Sequence, residues 1–280
     1  MQTLTTVAEL RANVRAWKRD GLRVGFVPTM GNLHAGHFSL VDLAKQHADR
    51  IVASVFVNPT QFGPNEDFAR YPRTLDADAA GLAAHGCDLL FAPSLDEMYP
   101  DGAANAVQIR VPGITTTLDG AHRPSHFDGV ATVVARLFNM VQPDVAVFGK
   151  KDYQQLQVIR QLVRDLAFPI EIIAAPTARA DDGLALSSRN QYLSETERAI
   201  APEIHRSLLA MRDAVRTGQA LATIESEAIQ RLTAAGFEVD YAAIRRADLG
   251  EPLAGQRDHL VALIAARLGN TRLIDNIAFD

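Results

Sequence analysis

Over roughly the first 175 residues, short apolar runs alternate with segments whose apolar residues recur at helical spacing. The runs cover residues 22–27, 51–57, 88–92, 144–148 and 170–174. Near-continuous apolar strands belong to parallel sheets covered on both faces. Their alternation with helices predicts a doubly wound, Rossmann-like α/β sheet. Helices are expected over 6–20, with Leu10, Val14 and Trp17 on one face and Gly21 as the stop, and over 38–44, 74–85 and 130–141. Another opens near Lys151, with Leu156, Ile159, Val163 and Leu166 on its apolar face. Residues 93–105 read as a loop and 106–111 as a further strand. Past Pro176 the pattern changes. One long helix over 195–217 and a second over 221–235 precede β character at 237–244, 260–268 and 271–277. The expected organisation is therefore a first domain, 1–176, and a small α+β domain, 177–280, that closes over the sheet's carboxyl edge as a lid.

Ligands of open α/β sheets bind outside the carboxyl ends of the strands. The first such end is Pro28–Thr29–Met30–Gly31–Asn32–Leu33–His34–Ala35–Gly36–His37. A helix start presents unpaired N–H groups and the positive end of a dipole, which suits phosphate. Gly36 leaves room for close approach, and His34 and His37 can donate from nearly one direction. The competing reading is a histidine pair that only caps the helix. Gly31 and Gly36 have P-loop spacing, but His37–Phe38 stands where Lys and Ser/Thr belong, so a Walker-type loop is excluded. The next strand ends in Asn58–Pro59–Thr60–Gln61–Phe62–Gly63–Pro64. Asn58 and Gln61 either line the same crevice or satisfy the turn. In the glycine-bounded stretch 120–129, Arg123 and His126 either meet phosphate or stabilise a solvated loop. A third strand end runs into Gly149–Lys150–Lys151–Asp152. There a lysine reaches phosphates as a mobile point charge, and Gln155, one helical turn from Lys151, shares its face. Asp76 and Asp78 read as exposed helix carboxylates, with Mg²⁺ contact the lesser alternative.

Composition narrows the class. The chain has 280 residues, 48% hydrophobic and 22% charged, with a net charge of −5. That is globular composition with enough chain for two domains, and its acidic balance argues against nucleic-acid partners. The single Cys87 precludes an internal disulfide and reads as a packed, reduced thiol. No signal peptide or bilayer-length apolar run is evident, so a cytoplasmic protein without a membrane partner is expected.

These motifs resemble known families. His34-x-Gly36-His37 is similar to the HIGH motif of the nucleotidyltransferase superfamily, and Leu186–Ser187–Ser188–Arg189 to the KMSKS loop of class I aminoacyl-tRNA synthetases. Taken with Tyr71–Pro72–Arg73, Arg123–Pro124-x-His126–Phe127-x-Gly129, Gly149–Lys150–Lys151–Asp152–Tyr153–Gln154–Gln155 and Ser187–Ser188–Arg189–Asn190, they resemble the pantothenate synthetase (pantoate–β-alanine ligase) family over nearly the whole chain. The resemblance implies a two-step ligation. Pantoate attacks the α-phosphate of ATP, giving pantoyl adenylate and pyrophosphate; β-alanine then displaces AMP. It implies Mg²⁺ with ATP and catalytic roles for His34, His37, Lys151 and Arg189, with His37 as proton donor. It places ATP against Met30, Gly31, Asn32, Leu33, His34, Ala35, Gly36 and His37, against Gly149, Lys150, Lys151 and Asp152, and against Ala178, Leu186, Ser187, Ser188 and Arg189. It places pantoate at Gln61 and Gln155, with Asn58 lining the same crevice, and β-alanine at Gln61. It implies small-molecule substrates and a homodimer paired through the first domain. Where the family usually has Met, this chain has Leu186, a volume-conserving swap that bears on nucleotide fit rather than on the reaction.

The residues fit that chemistry. Adenylyl transfer moves charge on phosphate oxygens, so it needs positioning and cationic donors more than a covalent group. No Ser-His-Asp or Cys-His arrangement is present, and His34 and His37 lack further ligands at zinc-like spacing. A nucleotidyltransferase acting on a phosphorylated acceptor would share the histidine loop but not need Gln61 and Gln155 together. A regulatory nucleotide-binding module would not need cations at three separate strand or loop ends. The acidic balance, and the absence of an anticodon-type extension, disfavour a tRNA synthetase fragment.

Overall fold

A computed structural model describes residues 1–64 and 66–279. These divide into two compact units, Met1–Gly149 with Val158–Pro176, and Lys150–Gln157 with Thr177–Asp280.

The first unit holds strands β1 (Gln2–Leu4), β2 (Val24–Thr29), β3 (Arg50–Val55), β4 (Leu89–Phe91), β5 (Val145–Gly149) and β6 (Glu171–Ala175). They form one parallel sheet in the order β1-β4-β3-β2-β5-β6. Apart from β1, which adds to the edge beyond β4, chain order runs outward from β2 in both directions, which makes β2/β5 the topological switch point. Helix α1 (Val7–Arg19) is capped by Thr6 and ends before Gly21 at φ 77°. Helices α2 (Ala35–Ala44) and α3 (Leu75–Ala84) supply Leu40, Val41, Ala44 and Leu82 to a core with Val27, Ile51, Ala53, Leu90, Val145 and Val147. The opposite face is filled by edge-to-face rings of Phe26, Phe138, Phe148 and Phe168, 5.6–6.4 Å from Phe138.

Several expectations are corrected. Residues 106–111 form no strand. Ile109 N–H donates to Thr132 Oγ1 at 2.9 Å, so this extended segment is satisfied by a helix side chain rather than a ladder. The 93–105 stretch is not a plain loop, because Ser94 caps the short helix α4 (Leu95–Met98). A one-turn helix, α5 (Asp119–His122), precedes α6 (His126–Val141), which begins four residues earlier than its apolar face suggested. Helix α7 (Tyr153–Asp165) buries Leu156 and Ile159, but Leu166 lies beyond its end and is exposed.

The second unit contains α8 (Glu195–Ile200), α9 (Glu203–Arg216), α10 (Leu221–Ala234) and an antiparallel sheet of β7 (Glu238–Arg246), β8 (Leu260–Leu268) and β9 (Thr271–Phe279), with β8 central. The single helix expected over 195–217 is two. Pro202 cannot donate the hydrogen bond that would continue α8. Among the described residues, no helix is long and apolar enough to cross a membrane.

Candidate active site

Strands β2 and β3 stay paired from Val24↔Arg50 to Thr29↔Val55. By contrast, β2 meets β5 only at Gly25↔Val145 and Phe26↔Ala146. Past those pairs β5 continues with β6 alone, to Gly149↔Ala175. The two central strands therefore part toward their carboxyl ends, and the loop after β2 leaves from this split.

That loop turns at Gly31 (φ 85°) and Asn32 (φ 53°). It is held from α3. Asp78, 2% exposed, accepts the N–H groups of Asn32 at 3.0 Å and Leu33 at 2.8 Å, and the Thr74 hydroxyl at 3.1 Å. Asp78 is therefore not the exposed carboxylate the sequence suggested; Asp76 is exposed. A Cβ at Gly31 would stand 3.0 Å from Asp78 Oδ2, so glycine is needed both for the backbone angle and for this contact. A side-chain amide at position 78 could accept only one of the two N–H groups. Asp78→Asn should leave a buried donor unmet at a cost of about 1–3 kcal/mol and lower the Tm by a few degrees. A variant that melts like wild type would remove Asp78 from this role.

His34 is the N-cap of α2. Its Nδ1 accepts from Gly36 N–H at 3.1 Å, and His34 N–H donates to His37 Nδ1 at 3.3 Å, a reciprocal capping box. The rings lie 4.1 Å apart, tilted by 48°. A nitrogen that accepts a hydrogen bond carries no proton, so each neutral ring holds its proton on Nε2. The capping reading is the one these contacts show, and it engages Nδ1 of both rings.

Gln61 sits beside this loop. It is 7% exposed, and its Nε2 donates to Met30 Sδ at 3.0 Å. Asn58, 1% exposed, spends its amide on structure. Nδ2 donates to Gln61 Oε1 (3.1 Å) and Gly129 O (3.2 Å), while Oδ1 accepts from Tyr99 Oη (2.8 Å) and Thr60 Oγ1 (3.0 Å). Asn58 therefore orients Gln61, turning its NH₂ toward Met30 as donor. Burial raises the Tyr99 pKa, which keeps that hydroxyl a donor.

Arg123 and His126 are tied to each other. Arg123 grips both oxygens of Glu66 at 2.7 Å and lies 2.9 Å from His126 Nε2 through Nη1. His126 Nδ1 lies 2.8 Å from Gln61 O. Burial, reinforced by the Arg123 charge, pushes His126 down to about 4. The ring is therefore neutral near pH 7, accepting from Arg123 and donating to Gln61 O. Burial raises the Glu66 carboxyl, but the Arg123 hydrogen bonds and charge outweigh it and hold the group below the usual range. Of the two readings of this stretch, loop stabilisation is the one the contacts support.

In the second unit, Lys150–Asp152 form a 3₁₀ turn ahead of α7. Lys151 therefore lies in the turn that leads directly into the helix carrying Gln155. Lys151 Nζ lies 3.6 Å from Asp152. Ala178 and Leu186 are brought together, with Leu186 N–H donating to Ala178 O at 2.9 Å. Ser187 caps the short turn Ser188–Tyr192, which carries Arg189. Glu66, Asp78 and Tyr99, which support these groups, were not singled out from the sequence as supports. Each acts on residues dozens of positions away, and none stands in a recognisable pattern with its partner.

A split β2/β5 switch point, with a histidine-capped helix start at its mouth, defines a nucleotide-binding α/β enzyme. The family model described as pantoate-beta-alanine ligase matches residues 2–278. The pantothenate synthetase of Xylella fastidiosa (strain 9a5c) is 63% identical over 280 residues, covering 100% of both chains. That of Xanthomonas euvesicatoria pv. vesicatoria is 63% identical over 279 residues, again covering 100% of both chains. The crystal structure of the Thermus thermophilus pantothenate synthetase superposes with a TM-score of 0.92 at 51% identity, covering 99% of each chain. The Francisella tularensis pantoate-beta-alanine ligase, solved complexed with beta-gamma ATP and beta-alanine, gives 0.84 at 35% identity, with coverage of 99% and 97%. The chain belongs to the pantoate–β-alanine ligase family. It is an ATP-using ligase that condenses pantoate with β-alanine to pantothenate.

Proposed function

We propose that the ligation runs through pantoyl adenylate, with His34, His37, Lys151 and Arg189 as the phosphate-directed groups. The observation that carries this reading is the contact of Gln61 Nε2 with Met30 Sδ. It supports a pantoate-directed amide beside a nucleotide loop at two adjacent strand ends, as the approach of a carboxylate nucleophile to an α-phosphate requires. Residues 30–37 bind ATP, with His34 and His37 donating through Nε2–H to phosphate oxygens. Gly149, Lys150, Lys151 and Asp152, together with Ala178 and Leu186–Arg189, complete the nucleotide contacts. Gln61 and Gln155 bind pantoate, and Gln61 also meets β-alanine, while Asn58 orients Gln61. Neutral amides suit pantoate's hydroxyls because they do not pair permanently with the carboxylate that must react.

Mg²⁺ accompanies ATP and neutralises phosphate charge. Among the described residues, no group of three or more His, Cys, Asp or Glu side chains is arranged to hold a metal ion. Residues 1–176, apart from Lys150–Gln157, which group with the second unit, and 177–280 act as separate domains in a cytoplasmic homodimer that pairs through the first; the family resemblance supports this assembly.

Forming the adenylate needs only ATP, Mg²⁺ and pantoate. The enzyme should exchange labelled pyrophosphate into ATP with pantoate present and β-alanine absent, and not when pantoate is omitted. Exchange that requires β-alanine would replace the stepwise route with a concerted one. Exchange without pantoate would mean an adenylylated side chain.

A further inference from the structure

Strand β9 reads Thr-Arg-Leu-Ile-Asp-Asn-Ile-Ala-Phe and pairs with β8 at all nine positions, from Leu268↔Thr271 to Leu260↔Phe279. Two residues ill-suited to strands, Asp275 and Asn276, stand at its middle, 4% and 6% exposed. The side-chain NH₂ of Asn276 donates to two consecutive carbonyls, Lys150 O at 2.9 Å and Lys151 O at 2.7 Å. Both partners can only accept, so the amide orientation is dictated. Those carbonyls belong to the peptide planes on either side of the Lys151 Cα. Because each plane is rigid, holding both oxygens restrains φ and ψ at Lys151, and with them the direction of its Cα–Cβ bond.

Asn276 is itself braced. Its N–H donates to Asp275 Oδ1 at 2.8 Å, and its carbonyl accepts from Arg179 Nη2 at 3.3 Å. Arg179 also holds Asp275 in a bidentate pair at 2.6 and 3.0 Å. Arg179 follows Ala178 directly, so the buried pair Asp275–Asn276 ties the lysine turn to the segment that carries Ala178.

We propose that Asn276 is the positioning residue for Lys151, aiming its ammonium at the phosphates during adenylate formation. This rests on the role given to Lys151 above. Asn276→Asp keeps the shape but turns acceptors toward both carbonyls; Asn276→Ala removes the donors. Each variant should slow pantoate-dependent pyrophosphate exchange roughly 10- to 100-fold, as misaimed groups do, with the KM for pantoate unchanged. Synthetic pantoyl adenylate supplied with β-alanine should be converted at near the wild-type rate, since pyrophosphate has already left. The double variant Lys151→Ala/Asn276→Asp should be no slower than Lys151→Ala alone, because residues acting as a unit are non-additive.

Losses that multiply in the double variant would overturn the proposal. So would a parallel fall in both half-reactions, the mark of general damage to the unit. If Lys151→Ala exchanges pyrophosphate normally, the reading of Lys151 fails. If Lys151→Ala is slow and Asn276→Asp is not, only the positioning role fails.

Discussion

Lys151→Ala should lower turnover by roughly 10²–10³, the usual loss when one preorganised electrostatic donor is removed from a charge-developing transition state. The transferred group in this reaction carries its charge on phosphate oxygens. A lysine contributes there as a cation rather than by covalent chemistry. Its ammonium pairs with Asp152 at 3.6 Å, a carboxylate whose side chain is 45% exposed, so its removal strands no buried charge there. The melting temperature should therefore stay close to wild type while single-turnover adenylate formation falls. Full activity in Lys151→Ala, or a melting temperature far below wild type, would end the assignment. Lys151→Arg should recover activity only in part, because a planar fork replaces a compact ammonium.

Gly129→Ala should damage both the fold and the pantoate site. Gly129 lies in the first turn of α6 against the turn that bears Gln61. A Cβ there would sit 2.4 Å from Thr60 O, 2.6 Å from Thr60 C and 2.7 Å from Gln61 Cα. All three are backbone atoms, so no side-chain rotation relieves the clash, and either α6 or the 59–61 turn must move. Overpacking of this kind costs about 1–3 kcal/mol, which corresponds to a loss of several degrees in Tm. The same shift breaks the Asn58 bond to Gly129 O, so Gln61 loses its orienter. The KM for pantoate should rise well before ATP binding is affected. Gly63→Ala is the control. Its Cβ would meet nothing closer than Glu66 Cγ at 3.6 Å, an ordinary contact, and it should change neither quantity. A Gly129→Ala enzyme with wild-type Tm and pantoate KM would show that the turn is not packed as described.

Much of the molecule is legible in the order of its residues. The β2–β6 strands are local hydrophobic runs and the helices are local periodicities, so their existence and sequence follow from neighbours a few positions apart. The order of those elements then implies a doubly wound sheet. The histidine loop, the Gln61 loop, the Lys151 turn and the Leu186–Arg189 cluster were legible for the same reason, since each is a compact polar motif at a predicted element end. Local reading failed where a distant partner decided the outcome. Residues 106–111 have strand-like alternation, but their hydrogen bond goes to Thr132 on α6. Asp78 looks like an ordinary carboxylate of a helix's first turn, yet two N–H groups more than 40 residues away bury it.

The chain order by itself therefore determined the kind of scaffold and marked the polar motifs at its element ends as candidates for the chemistry. Only the tertiary structure decided how they are aimed. Asn58 aims Gln61, the Nδ1 caps fix which edge of His34 and His37 donates, and Asn276 grips the backbone at Lys151. Except in the histidine pair, aim depends on hydrogen bonds whose donors and acceptors are separated by turns or by much of the chain. A buried polar group must find a partner wherever the fold supplies one, and local periodicity carries no record of where that is.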